Sequence, residues 1–289
     1  MPLPVSYLNG EYLPLAEARV SPLDRAFLFG DAVYEVVPVY ASRPFRLREH
    51  LDRLAQSLAG IQMDPPLTHA EWDGILKTLI ERNGGGDQYV YFQVTRGAEL
   101  GRNHAWPAKL KPTVFAFANA LEPASPALLD QGVAAITAPD IRWARRDIKS
   151  TALLANALLK KLAVDAGAFE TILLERGELT EGSSTTVHVV RRGELHTPPN
   201  GQHILPGTTR DVVTELAARS GIPSASRRVT EEELRGADEI WLAFATRGVL
   251  PVTRLDGKPV GTGRPGPLFA RMHAAFVSYV RELAGTPAL

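Results

Sequence analysis

At 289 residues the chain is long enough for two domains, because a single core stops growing at roughly 250–300 residues. Lys+Arg 32 cancels Asp+Glu 32, which removes the overall field that draws a protein to nucleic acid or an anionic membrane. Cysteine is absent, so disulfides, cysteine-ligated metals and thiol catalysis are excluded; with no basic-then-apolar leader and no apolar run near the roughly 20 residues of a membrane span, a cytoplasmic protein handling small molecules is expected.

Tyr7-Leu8-Asn9-Gly10-Glu11-Tyr12-Leu13 sets Asn-Gly between short apolar runs, the pattern of a tight hairpin. Val33 to Tyr40 reads as a strand. Alternation puts Tyr34, Val36, Pro38 and Tyr40 on one face and Val33, Glu35, Val37 and Val39 on the other. Pro38 marks an edge or a bulge. Tyr34 is a candidate functional side chain beside Glu35, with a core tyrosine as the alternative. Leu47 to Leu58 predicts a helix with Leu47, Leu51, Leu54 and Leu58 on one stripe. Arg53 flanks that stripe, where a long side chain either enters a cleft or snorkels to solvent. Glu71 to Arg82 predicts a second helix stopped by Asn83-Gly84-Gly85-Gly86, and Tyr89 to Thr95 a strand. The strand feeds a loop, Arg96 to Pro107. In it Arg102 and His104 form a candidate carboxylate clamp, since a guanidinium offers a bidentate fork.

Lys111 to Ala118 predicts another strand, and Leu121-Glu122-Pro123-Ala124-Ser125-Pro126 a linker. The expected division is a smaller α/β domain over 1–120, a linker over 121–131 and a larger domain over 132–289. Gly132 to Thr137 leads as a strand into a crowded basic stretch, Asp140 to Ser150, followed by a helical run from Thr151 to Gly167 that Ser150 can cap. Lys149 is thus expected at a strand-to-helix joint, one residue before a helix start. Two neighbouring arginines favour its neutral amine. A neutral amine can add to a carbonyl carbon; a lysine on a solvated basic surface is the rival reading.

Glu170 to Glu175 and Thr186 to Val190 read as strands around a turn, Leu179 to Thr185, with Glu194 to Thr197 following the Arg192-Gly193 turn. Leu205-Pro206-Gly207-Thr208-Thr209 opens a helical run ending near Gly221. Free amides and the positive end of the helix dipole there favour a phosphate, against the alternative of an ordinary threonine cap. Trp241 to Ala245 is a strand ending at Thr246-Arg247-Gly248, and Gly266 to Leu283 closes the chain as an amphipathic helix.

A lysine at a joint, Glu181 in a Thr-Glu-Gly-Ser-Ser segment and a Gly-x-Thr helix start together suggest pyridoxal phosphate. The lysine holds its carbonyl carbon, a carboxylate keeps the ring nitrogen protonated, and a helix N-terminus holds the dianionic phosphate.

The residues then resemble the D-amino-acid aminotransferases of the fold-type IV pyridoxal-phosphate enzymes over nearly the whole chain. The resemblance rests on Phe29-Gly30-Asp31-Ala32-Val33-Tyr34-Glu35-Val36, Glu49-His50-Leu51-Asp52-Arg53-Leu54, Phe92-Gln93-Val94-Thr95-Arg96-Gly97, Asp140-Ile141-Arg142-Trp143, Asp147-Ile148-Lys149-Ser150 and Thr180-Glu181-Gly182-Ser183-Ser184. It implies an α+β, two-domain fold in which each domain is a mainly antiparallel sheet or barrel with flanking helices, the C-terminal domain being the cofactor-binding one. By the resemblance, Lys149 carries pyridoxal 5'-phosphate and shuttles the proton between Cα and the cofactor's C4′. Glu181 pairs with the pyridine nitrogen, while Arg53, Ser183, Ser184, Thr185, Leu205, Gly207, Thr208, Thr209, Ala245 and Thr246 surround the phosphate or the ring. Tyr34, Arg102 and His104 match the trap for the substrate α-carboxylate, the last two reaching across a homodimer interface.

The implied reaction moves an amino group between a D-amino acid, such as D-alanine or D-glutamate, and 2-oxoglutarate or pyruvate by a ping-pong mechanism. Ala32, Thr185-Thr186 and Phe244-Ala245 depart from the family's usual glycine, Ser-Asn and hydroxyl-bearing pair, which implies a poorer phosphate cup. The rivals are a branched-chain L-aminotransferase, an (R)-amine transaminase and an aminodeoxychorismate-type lyase of the same fold, or a catalytically silent binding module. The Arg102-x-His104 pair weighs against an amine transaminase, which has no α-carboxylate to bind.

Overall fold

A computed structural model describes residues 1–285. The chain packs as two compact units, the first made of Met1–Glu122 with Ile148–Leu153 and the second of Pro123–Asp147 with the residues from Leu154 onward.

In the first unit β1 (Pro2–Leu8) turns into β2 (Glu11–Pro14) through Asn9 and Gly10, at φ 52° and 107°. This is the left-handed pair that a tight hairpin needs. A short helix α1 (Arg25–Phe29) leads to β3 (Ala32–Tyr40) and the two-residue β4 (Arg43–Pro44), followed by α2 (Leu47–Gly60), α3 (His69–Arg82), β5 (Gln88–Thr95) and β6 (Thr113–Ala120). The sheet order is β2-β1-β6-β5-β3-β4, with antiparallel pairing. Only β4 lies outside β3, and the Pro38 carbonyl accepts from Phe45 N (2.8 Å) on that side. A missing N–H is therefore tolerated there. Val33, Val37 and Val39 of β3 share one apolar core with Leu51, Leu54 and Leu58 of α2 and Trp72, Leu76, Leu79 and Ile80 of α3. Ile148 belongs to the same core.

That placement corrects the sequence reading around Lys149. Residues 148–153 run along β3, with Tyr34 N donating to Lys149 O (3.0 Å) and Thr151 N to Ala32 O (3.0 Å). Ser150 bridges Val33 instead of capping a helix. The following helix, in the second unit, starts only at Leu154.

The second unit opens with α4 (Pro126–Gln131), inside the segment expected as a linker, and continues with β7 (Val133–Pro139), α5 (Leu154–Asp165), β8 (Glu170–Glu175), β9 (Glu178–Gly182), β10 (Thr186–Arg191), β11 (Glu194–Thr197), α6 (Thr208–Arg219), β12 (Ser224–Ser226), α7 (Glu231–Arg235), β13 (Glu239–Phe244), β14 (Gly248–Leu255), β15 (Lys258–Pro259) and α8 (Pro267–Ala284). Its sheet runs β12-β11-β10-β13-β14-β7-β8-β9, with β15 on β14. Hairpin pairs are antiparallel; β7 lies parallel to both β8 and β14, and β11 parallel to β12. A second correction concerns Glu181, expected in a turn. Arg176 (φ 52°) and Gly177 (φ 77°) turn the chain early, so Glu181 lies on a strand. Among the described residues no helix is long and apolar enough to cross a membrane.

Candidate active site

In the first unit Lys149 is fixed at its root from both sides. Its amide donates to Ser57 Oγ (3.1 Å) and its carbonyl accepts from Tyr34 N. Its Nζ stands 4.3 Å from the centroid of the Tyr34 ring, which stacks on Tyr91 (5.4 Å, 24°). The arginines that motivated the like-charge argument are paired with carboxylates: Arg145 with Asp147 (2.9 Å) and Arg146 with Glu175 (3.1 Å). Both guanidiniums are therefore already balanced by carboxylates. What singles out Lys149 is its fixed backbone and the aromatic face under its amine.

Arg53 leaves α2 toward the core side of β3. Its Nε and Nη2 donate to the two oxygens of Glu35 (2.7 and 2.8 Å), and His50 Nδ1 lies 2.7 Å from Glu35 Oε2. Burial pushes the Glu35 carboxyl up, but Arg53 and then His50 outweigh it and hold it well below the usual carboxylate range. For His50, burial holds the imidazole below its ordinary value against the attraction of Glu35. Arg102 and His104 are exposed on the loop between β5 and β6. Both flank Phe29, the Arg102 guanidinium 5.0 Å from its ring centroid and the His104 ring 5.3 Å from it.

In the second unit Glu181 is buried on β9. Its Oε1 accepts from Arg142 Nη1 (2.5 Å), and Leu205 N donates to Oε2 (3.3 Å). Burial raises its pKa, and Arg142 with the Leu205 amide opposes that without cancelling it. Arg142 is itself held by Asp140 through Nε (3.0 Å) and Nη2 (2.7 Å), and Thr180 Oγ1 donates to Asp140 Oδ2 (2.8 Å). Ser183 and Ser184 donate their hydroxyls to the buried Glu170. Thr185 Oγ1 is buried without a hydrogen-bond partner among the described residues. Thr208 and Thr209 open α6 behind an N-cap glycine, Gly207, that supplies no side-chain cap. Ala245 and Thr246 lie half-buried in the turn joining β13 to β14.

The candidates thus fall into two sets: Tyr34, Arg53, Arg102, His104 and Lys149 in the first unit, and Glu181, Ser183, Ser184, Thr185, Leu205, Gly207, Thr208, Thr209, Ala245 and Thr246 in the second. The sequence reading gave no role to His50, Arg142 or Glu170. A signal existed for the first cluster, because Glu35 alternates with valines on the apolar face, and a carboxylate there demands a buried cation.

The family model for amino-transferase class IV matches residues 32–255. The chain belongs to the class IV aminotransferases. This aminotransferase is 40% identical over 280 residues to "D-alanine aminotransferase" of Bacillus licheniformis, covering 96% of this chain and 98% of the relative. It is 37% identical to the protein of the same name from Staphylococcus haemolyticus, covering 96% and 98%. Among solved structures it is similar to the branched-chain amino acid aminotransferase of Escherichia coli (TM-score 0.90, 28% identity, 96% and 94% covered). It is also similar to the T.th. branched-chain amino acid aminotransferase with pyridoxamine 5'-phosphate (TM-score 0.89, 28% identity, 99% and 95% covered). The fold is that of a fold-type IV enzyme, and the protein is a pyridoxal-phosphate-dependent aminotransferase.

The residues present fit that cofactor. Among the described residues Thr185 offers a buried hydroxyl without a hydrogen-bond partner, and α6 starts behind a glycine that supplies no side-chain cap. Gly207 keeps the helix entry bare, since a Cβ there would come 2.8 Å from Thr186 Oγ1. Glu181 is a buried carboxylate opposed by one guanidinium that it shares with Asp140, the environment in which a further cationic N–H is stabilising.

Proposed function

We propose that this aminotransferase moves the amino group between a D-amino acid, such as D-alanine or D-glutamate, and 2-oxoglutarate or pyruvate in two half-reactions, acting in the cytoplasm as a homodimer with shared sites. The observation that carries the reading is the near-full-length 40% identity to a relative named for D-alanine, against 28% to structures named for branched-chain substrates.

Pyridoxal phosphate, when bound, supplies a carbonyl carbon and an electron-withdrawing ring. Lys149 is assigned to hold the cofactor and to take and return the proton at the substrate Cα, with its amine steered by the Tyr34 face. Glu181 is assigned to the ring nitrogen. Arg142 holds its carboxylate in place and favours the charged form that this pairing needs. The amides of Thr208 and Thr209, with Leu205, Gly207, Thr185 and Arg53, are assigned to the phosphate, and Ser183, Ser184, Ala245 and Thr246 to its border. Tyr34, Arg102 and His104 are assigned to the α-carboxylate, the last two serving the partner protomer. Arg102 gives a bidentate fork there.

The test is the amino-donor half-reaction followed by cofactor absorbance, with D-alanine, D-glutamate and L-leucine compared at equal concentration. Conversion by the D-amino acids and not by L-leucine is expected. Faster conversion by L-leucine than by either would establish the branched-chain reading, which the similarity to those structures also fits.

A further inference from the structure

The loop that carries Arg102 and His104 joins β5 to β6, and α1 ties down its stems and its tip. At the stems, Arg25 N donates to Gly97 O (2.9 Å). Asp24 Oδ2 accepts from Thr95 Oγ1 (2.9 Å) and Thr113 Oγ1 (2.8 Å), one hydroxyl from each strand end. Gly97, at φ 99°, lets the stems close, since a Cβ there would lie 2.0 Å from Lys111 O.

At the tip the holding group is the Arg25 guanidinium, only 3% exposed. It donates to Asn103 O (2.7 Å) and His104 O (3.1 Å), the backbone carrying the clamp. It is balanced by Asp31, which accepts from Nε at 2.8 Å, and by Glu99 on the loop itself. Asp31 Oδ2 also accepts from Arg96 Nε (2.7 Å), and Trp106 covers the Arg96 guanidinium at 4.0 Å. Phe29 has the Arg25 guanidinium 4.6 Å from its ring centroid, and the same ring is flanked by Arg102 and His104. A buried arginine whose donors go to two consecutive loop carbonyls fixes the direction in which the side chain between them, His104, leaves the backbone, and restricts Arg102 just before it.

We infer that Arg25 is a positioning residue for the substrate carboxylate. It holds the backbone at Asn103 and His104, so that Arg102 and His104 meet the carboxylate already oriented. This rests on the reading that the Arg102-x-His104 pair binds that carboxylate. A loop ordered anew at each binding event loses affinity to conformational entropy, and a loop already anchored does not. Lysine cannot replace arginine here, because a point charge keeps the attraction to Asp31 but has no planar fork for two carbonyls.

The test uses the holoenzyme with Arg25→Lys, Arg102→Met and the double variant. D-alanine is compared with D-alaninol, which lacks the carboxylate, in the single-turnover half-reaction. Hydrogen exchange of residues 98–108 without substrate is the second readout. Arg25→Lys is expected to weaken D-alanine about tenfold at an unchanged saturating rate, leave D-alaninol within about twofold, and speed exchange of the loop. Arg102→Met should show the same substrate selectivity without the faster exchange, and the double variant should be no worse than Arg102→Met. If Arg102→Met is selective but Arg25→Lys weakens both donors equally or neither, Arg25 is only structural and the inference falls alone. If Arg102→Met itself is not selective, the clamp reading fails and takes the inference with it. Should Arg25→Lys not fold, Glu99→Ala cuts the same anchor from the loop side. A selective loss then supports the inference, and its absence overturns it.

Discussion

The buried charges of the two units are arranged differently. In the first unit they close on one another: Glu35 with Arg53 and His50, Asp31 with Arg25 and Arg96. In the second, a chain from Glu175 through Arg146, Asp140 and Arg142 ends at Glu181, a carboxylate that burial drives toward its neutral form. After it in the chain come, among the described residues, a buried Thr185 hydroxyl without a hydrogen-bond partner and an α6 whose capping glycine supplies no side chain. Closed pairs hold a shape, because each charge already has its counter-charge; open ends gain most from a ligand, because their desolvation is not yet offset. Substitution of the carboxylates in the closed set should therefore cost stability first, whereas changes at the open ends should cost rate or cofactor affinity; Arg53 and Arg25 carry proposed roles toward cofactor and substrate as well.

Lys149 stands apart from both sets, and its loss should have the largest effect. Lys149→Ala is expected to abolish transamination, because the group assigned to hold the cofactor and move the Cα proton is gone. Steady-state turnover with D-alanine and 2-oxoglutarate measures it. Ordinary turnover would sink the assignment.

Glu35→Gln tests the closed set. It leaves Arg53 buried without its counter-charge, at a cost of about 3–5 kcal/mol in a denaturant titration at about pH 7. The sign of the pH dependence follows from the direction of the shift. The folded-state pKa of Glu35 is depressed, so its contribution is complete above the unfolded value of about 4.3 and is lost as pH falls toward the folded one. The gap between wild type and Glu35→Gln should be flat from about pH 5.5 to about pH 8 and shrink below about pH 4. A gap that widens on acidification would contradict the pairing.

Glu181→Gln is the counterpart at an open end. It keeps the shape and removes the charge, so the half-reaction with D-alanine should slow by about a hundredfold while stability changes by less than about 1 kcal/mol, burial already favouring a neutral group there. If Glu35→Gln and Glu181→Gln destabilise equally, the distinction between closed and open sets is lost.

Much of this was legible locally. Asn9-Gly10 announces its hairpin and the leucine stripe of α2 its buried face, because both depend on residues a few positions apart. Lys149 was legible as a residue and not as a place: its backbone is fixed by β3, more than a hundred residues earlier, and no local pattern reports a bridge of that span. Glu181 was misplaced because the turn at Arg176-Gly177 gave a weaker signal than the Gly-Ser-Ser segment after it. Arg25 went unread for a related reason. Only the folded loop shows that its donors end on the carbonyls of Asn103 and His104.

The smallest effect is expected at Ala245. The turn from β13 to β14 carries Ala245 and Thr246, both half-buried, while Phe244 before them pairs with Gly248 and packs its ring against Phe169 (6.1 Å). Phe244 offers no side-chain donor, and Ala245 offers only a methyl. A hydrogen bond to a charged group contributes about 1.5–3 kcal/mol, so a missing one weakens cofactor affinity by about tenfold or more. If Thr246 already fills the role, the added hydroxyl is redundant. If Lys149 holds the cofactor as proposed, that hold would mask either case until an amino donor is added. Treatment with D-alanine in the absence of a 2-oxo acid should therefore make wild type shed cofactor on dialysis, and Ala245→Thr should slow that loss by several-fold, up to about tenfold. The retained cofactor is read by absorbance. Full retention by wild type, unchanged in Ala245→Thr, would mean that Thr246 completes the cup and that the open end lies elsewhere in the second unit.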